Sequence, residues 1–135
     1  IGIVAPTCLG PAAYRFSCQI NENSALFAGA TDVPEMNHNE IVAWTSKSAS
    51  NRALLLFSCE DLHPRTSARM EWMLEEIESS PTWVVECEGK SLLERLLYAA
   101  HVTDWVSIGL ALLTGEDPSE MPAIESLKTH LASIQ

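Results

Sequence analysis

Ile1-Gly2-Ile3-Val4-Ala5, followed downstream by Ala53-Leu54-Leu55-Leu56-Phe57 and Trp83-Val84-Val85, decides the fold class. Each is a short, uninterrupted apolar run rich in strand formers, the pattern of a strand buried on both faces. Between the runs the period changes to that of a helix. Met70, Met73, Leu74 and Ile77 recur on an acidic background as one stripe of an amphipathic helix that starts near Pro64–Thr66. Met121, Ile124, Leu127, Leu131 and Ile134 form a second stripe after the stop at Gly115-Glu116-Asp117-Pro118, and apolar Leu92–Leu113 reads as one long helix or two abutting ones. Parallel strands need crossover connections, so alternating strand and helix predicts an α/β fold: a three-layer α/β/α sandwich, doubly wound, with a mainly parallel sheet. Ligands of such sheets bind beyond the carboxyl ends of the strands. That rule directs attention to Pro6–Pro11, Asp32–Asn39 and Cys59–Pro64, and places the candidate site at that edge.

The chain has 135 residues, 47% apolar and 19% charged, enough for one domain with its own core. No uninterrupted apolar run reaches the roughly 18 residues of a membrane span, and the first segment lacks the basic start of a signal peptide, so a cytoplasmic protein with no membrane partner is expected. A start without methionine, almost directly on a strand, is expected of a piece of a longer polypeptide. Cys8, Cys18, Cys59 and Cys87 form no C-x-x-C pair and have no close histidine, so reduced thiols and no metal site are expected. Eight basic against eighteen acidic residues give a net charge of −10, which argues against nucleic acid as a partner. A phosphate would be repelled as well, and would need backbone amides, hydroxyls or another domain to hold it.

Two polar clusters carry candidate chemistry. Gln19-Ile20-Asn21-Glu22-Asn23-Ser24 lies at the end of a helix whose apolar side includes Ala13, Phe16 and Ile20. A carboxylate there meets the negative end of the helix dipole, which favours its protonated form and suits a general base; an ordinary solvated helix end has the same residues. Asn37-His38-Asn39-Glu40 precedes Ile41-Val42-Ala43-Trp44, with Asn37 as a natural N-cap and His38 in the first turn, held neutral and able to exchange a proton. A capped helix with an exposed histidine reads identically. Of the other histidines, His63 precedes Pro64 at a helix entry, His101 sits in an apolar run as a core or interface residue, and His130 lies on the polar side of the last helix.

The string Ala12-Ala13-Tyr14-Arg15 through Gln19–Ser24, followed after 16 residues by Pro34-Glu35-Met36-Asn37-His38-Asn39-Glu40-Ile41-Val42, closely resembles the bifunctional phosphoglucose/phosphomannose isomerase family of bacteria and archaea. A weaker likeness continues through His63-Pro64-Arg65, Gly89–Leu97, Asp104–Leu113 and Gly115–Pro118. The resemblance implies that residues 1–135 are one sugar-isomerase (SIS) domain, the C-terminal one of a two-domain subunit whose N-terminal SIS domain carries the phosphate loop. It also implies a homodimer and no cofactor or metal.

The activity implied is interconversion of glucose 6-phosphate and/or mannose 6-phosphate with fructose 6-phosphate through a cis-enediol. Glu22 of the N-E-N motif would be the base, and His38 of the N-H-N-E motif would open the ring from across the dimer interface. Ser107 would be a supporting hydroxyl, and Arg15, Asn23 and Thr114 would line the sugar phosphate. The fragment alone would be inactive. Thr114, Ala25 and Ser17 stand where the family commonly has cations, which leaves open a degenerate, non-catalytic sugar-phosphate-binding or regulatory module, or a dimerisation scaffold. Arg15 could equally pair with a carboxylate.

Overall fold

The computed structural model describes residues 1–134. Four strands, β1 (Gly2–Pro6), β2 (Gly29–Val33), β3 (Leu54–Ser58) and β4 (Thr82–Glu86), form one sheet in the order β2-β1-β3-β4, with every pairing parallel. Five helices connect or follow them: α1 (Gly10–Ser24), α2 (Ile41–Trp44), α3 (Pro64–Glu76), α4 (Leu92–Thr114) and α5 (Pro122–Ala132). Strand alternation divides the core. Ile3, Ala5 and Phe57 pack with Phe16 and Ile20 of α1 and Ala99 of α4, while Val4, Leu54 and Leu56 pack on the other face with Trp44 of α2 and Met70 and Met73 of α3. The result is the expected α/β/α sandwich.

Each helix forms for a legible reason. Pro11 and Pro64 stand in the first turns of α1 and α3, where a missing N–H costs nothing. Ser91 and Glu94 close a reciprocal capping box at the start of α4, and Gly115 ends it in the left-handed conformation (φ 78°). A Cβ at Gly2 would run into the edge of the Trp44 ring, so any side chain there forces Trp44 to shift.

Three expectations are corrected. β4 is an edge strand with Trp83 56% and Val84 40% exposed, because only β3 pairs with it among the described residues. Residues 35–38 do not cap a helix through Asn37. They form a separate 3-10 turn with His38 in its last turn, so the imidazole does not meet a helix N-terminus, and α2 has only four residues. His101, expected in a core or an interface, is exposed beside Trp105, which removes the core reading and leaves the interface one.

α4 is one unbroken helix of 23 residues, long and apolar enough by length and composition to cross a membrane. Its buried positions are Ala99, Thr103, Ser107 and Ala111, all small and about one turn apart, and they seat the helix against α1 and the sheet. The opposite side leaves Leu97, Trp105, Leu112 and Leu113 exposed, and no residue of α5 is buried.

Candidate functional site

A helix that follows a parallel strand must run antiparallel to it, to return the chain to the start of the next strand. α1 accordingly begins at the carboxyl edge, where Gly10 lies against the Asp32 carboxylate at the end of β2. It ends at the amino edge, where the Asn21 side chain accepts from the Ala28 amide (2.7 Å) and donates to the Ala28 carbonyl (3.0 Å), just before β2. Glu22 is in this last turn, so it sits at the amino edge and not at the carboxyl edge expected for it. His38 follows β2 and is at the carboxyl edge. Within one chain the two residues therefore sit at opposite edges of the sheet, separated by most of the length of α1, about 18 Å of rise from Gly10 to Glu22 at 1.5 Å per residue.

Glu22 is exposed and lines a cavity of ≈ 280 Å³ with Asn21, Asn23 and Ala25. The opposite wall is the α4–α5 connection, with Glu116, Asp117 and Glu120. Ser119 donates to Asp117 from both amide (2.8 Å) and hydroxyl (2.6 Å), which holds that carboxyl below its ordinary range. The residues lining this cavity include no lysine or arginine. Of the three positions where the resemblance implies cations, only Ala25 lines the cavity. Thr114 spends its hydroxyl on the Leu110 and Ser24 carbonyls, and Ala25 is the left-handed cap of α1 (φ 53°). Ser17 is buried and donates to the Tyr14 carbonyl (2.7 Å).

The remaining candidate residues form a polar seam between α1 and α4. Arg15 makes a two-pronged ion pair with Asp104, its Nη2 lying 3.2 Å from Oδ2. One turn on, the Gln19 amide accepts from Arg15 (3.1 Å) and donates to Asp104 (3.0 Å) and to Ser107 Oγ (3.2 Å). Another turn on, Asn23 donates to Ser107 Oγ (2.9 Å), and Ser107 donates to the Asp104 carbonyl (2.8 Å). The Ser107 hydroxyl thus uses its one proton and both lone pairs inside the protein and is fully buried. Arg15 and Ser107 both take part in the seam, because a packed helix pair must satisfy its internal polar groups. Sequence reasoning misses Asp104 and Gln19 as members of this network. Their signal is the match of Arg15, Gln19 and Asn23, four apart on α1, with Asp104 and Ser107, three apart on α4.

His38 is exposed and lines a cleft of ≈ 240 Å³ with Pro34, Glu35, Asn37 and Arg69. Asn37 Oδ1 is shielded from solvent and has no partner. His63 caps α3, its Nδ1 accepting from the Arg65 amide (3.2 Å). At the carboxyl edge of β3 and β4, a cavity of ≈ 560 Å³ is lined by Glu60, Glu86 and Glu88 with Lys90 and Arg95. Arg95 is spent on the Gly89 and Glu60 carbonyls and on Asp61. All four cysteines are free thiols, and burial pushes Cys87 up to about 12 and raises Cys59 too, so neither is a ready nucleophile.

Residues 1–131 match the family described as the bacterial phospho-glucose isomerase C-terminal SIS domain. The chain is 40% identical over 124 residues to a bifunctional phosphoglucose/phosphomannose isomerase of Aquifex aeolicus (strain VF5), covering 88% of this chain and 38% of that protein. It is 33% identical over 121 residues to the protein of the same name from Thermoplasma volcanium, covering 89% and 39%. The chain therefore spans under two fifths of the length of these relatives. Among solved structures, a glucose-6-phosphate isomerase like protein from Thermus thermophilus superposes with a TM-score of 0.70 at 15% identity, covering 91% of this chain and 42% of that one, which is a likeness of fold. With all but its last few residues matched, the chain belongs to the bacterial phospho-glucose isomerase C-terminal SIS domain family.

Proposed function

We propose that the protein to which this domain belongs interconverts glucose 6-phosphate and/or mannose 6-phosphate with fructose 6-phosphate in the cytoplasm, working as a homodimer of two-SIS-domain subunits and without a cofactor. His38 protonates the ring oxygen and opens the sugar. Glu22 then removes the proton from C2 of the open aldose, the electron pair forms the C1=C2 bond as O1 takes up a proton, and the cis-enediol collapses to the ketose when O2 gives up its proton and Glu22 returns its own to C1. One carboxylate serves both carbons from one face. Asn23 and Ser107 act as positioning residues, tying the last turns of α1 to α4 so that Glu22 is presented at a fixed place; Thr114 anchors the same end through Ser24.

The observation that carries this reading is the placement of the family's two motif residues, both exposed, at opposite edges of one domain. A single copy cannot bring them to one sugar, so the site takes Glu22 from one copy and His38 from another. The absence of a cation among the residues lining the Glu22 cavity favours a second reading, a sugar-phosphate-binding module without turnover.

The test uses the full-length parent protein and measures fructose 6-phosphate formed from each aldose phosphate. Glu22→Gln should lower turnover on the order of 10²–10⁴-fold. His38→Ala should slow cyclic substrate more than open-chain substrate. Mixing the two variants so that subunits exchange should restore about a quarter of wild-type activity, since half the dimers are mixed and each has one intact site of two. No recovery would place both residues in one subunit's site, and wild type that binds either sugar phosphate without turnover would establish the second reading.

A further inference from the structure

The chain's cations are unevenly used. Arg15 and Arg95 are taken up by Asp104 and Asp61. Arg65 and Arg69 make no ion pair among the described residues, yet both line one cleft of ≈ 420 Å³ between α3 and the 3-10 turn Glu35–His38. They are four residues apart on α3, so they project from the same side as neighbours, and Trp72 follows three residues on, lining the same cleft and 46% exposed. This stripe flanks the buried one of Met70, Met73 and Ile77, so packing the helix onto the sheet does not consume it.

Asn37 closes the cleft from the other side. Its Oδ1 has no partner, and its Nδ2 meets only the Met36 sulfur at 3.8 Å. A shielded amide left in that state costs free energy until something supplies the missing bonds. Asn37 and Arg69 also line the smaller cleft that holds His38, so the two spaces adjoin. The carboxylate bordering them, Glu35, accepts from Asn39 Nδ2 (3.0 Å) and forms no ion pair with Arg69 among the described residues.

Two unpaired guanidinium groups, an open aromatic face and an unsatisfied amide in one cleft, on a chain of net charge −10, are not a generic surface. We propose that this cleft binds a phosphate monoester, the dianion held by Arg65 and Arg69 in forked hydrogen bonds and the organic part lying against Trp72 and Asn37. Guanidinium forks match phosphate oxygens two at a time, and here they oppose the field of the rest of the chain. The phosphate contact stands on the cleft alone; that the organic part is a sugar rests on the isomerase reading, and the cleft is then a second site, additional to the phosphate loop expected in the N-terminal SIS domain. The overall acidity that argues against phosphate binding is an average, and the fold sets two arginines without ion pairs among the described residues side by side in one cleft.

The full-length protein is titrated with fructose 6-phosphate, with inorganic phosphate, and with sodium chloride at matched ionic strength. Tryptophan fluorescence is followed, and the part lost in Trp72→Phe is taken as the cleft signal. That signal should saturate with both phosphates, more tightly with the sugar phosphate, and not with chloride. Arg65→Gln and Arg69→Gln should each weaken binding about 10-fold, with Arg69→Lys falling between because it keeps charge but loses the fork. All three positions are exposed, so unchanged circular dichroism is expected to verify folding. A cleft signal that is absent in wild type, follows chloride equally, or is unmoved in the double Gln variant overturns the site. Equal affinity for the two phosphates overturns the sugar part. Loss of turnover in wild type with the cleft signal intact would instead sink the isomerase reading alone.

Discussion

The α1–α4 seam and the cleft between α3 and the 3-10 turn Glu35–His38 are both rich in polar side chains, and they treat them in opposite ways. In the seam, Arg15, Gln19, Asn23, Asp104 and Ser107 satisfy one another, and Ser107 has no bonding capacity left. In the cleft, Asn37 is unsatisfied, Arg65 and Arg69 are unpaired among the described residues, and His38 is exposed. A closed network resists motion and holds a neighbouring group in place; an open one has free energy to gain from a visitor. On this contrast the proposed phosphate site falls in the cleft, although the seam holds more of the residues singled out by sequence.

The largest expected effect tests the architecture under the seam. Phe16 stacks against Phe57 of β3 with ring centroids 6.2 Å apart, both fully buried, so Phe16→Ala should cost about 3–5 kcal/mol. Trp72→Ala in the cleft should cost less than about 1 kcal/mol, and comparable losses in denaturant unfolding would erase the distinction.

Ser107→Ala probes the network itself. It removes the acceptor for Asn23 and Gln19 in a buried place and should destabilise by about 1–3 kcal/mol. The matching change in the cleft, Arg69→Gln, should stay within about 0.5 kcal/mol. If the seam serves to position Glu22, Ser107→Ala in the parent protein should also lower turnover while leaving the pH dependence of kcat unchanged, since no titrating group is removed. A shifted pH profile would mean that Ser107 takes part in proton transfer.

The smallest effect lies where the seam meets Glu22. Ala25 holds a left-handed conformation that glycine adopts without cost, so Ala25→Gly should stabilise by about 0.5–1 kcal/mol in a thermal melt. A destabilised variant would show that the Ala25 methyl makes a contact worth more than the backbone strain.

Much of this is legible in the chain itself. The runs at Ile1–Ala5, Ala53–Phe57 and Trp83–Val85 mark three of the four strands because burial in a parallel sheet demands continuous apolar residues. β2, Gly-Ala-Thr-Asp-Val, has no such run, since it is an edge strand with one face partly open, and it is implied only by the residues after it. The stripe Met70, Met73 and Ile77 is buried as its period predicts, whereas Leu74 on its margin is 44% exposed. The stripe on α5 is real but finds nothing to pack against within the described residues, because periodicity specifies a face and not its partner.

The sequence by itself determined the class of fold, the places of α3, α4 and α5 and the two motifs that mark the family, because strand runs and helical periods are local properties. Only the tertiary structure decided what the motif residues face. The return path of α1 places Glu22 and His38 on opposite edges. The approach of α4 joins Arg15, Asn23 and Ser107 in one helix–helix network. The packing of α3 leaves Arg65 and Arg69 unspent beside His38. Each of these depends on which side chains from distant segments arrive within hydrogen-bond reach, and a bond a few ångströms long between residues some 90 positions apart leaves no mark on local sequence.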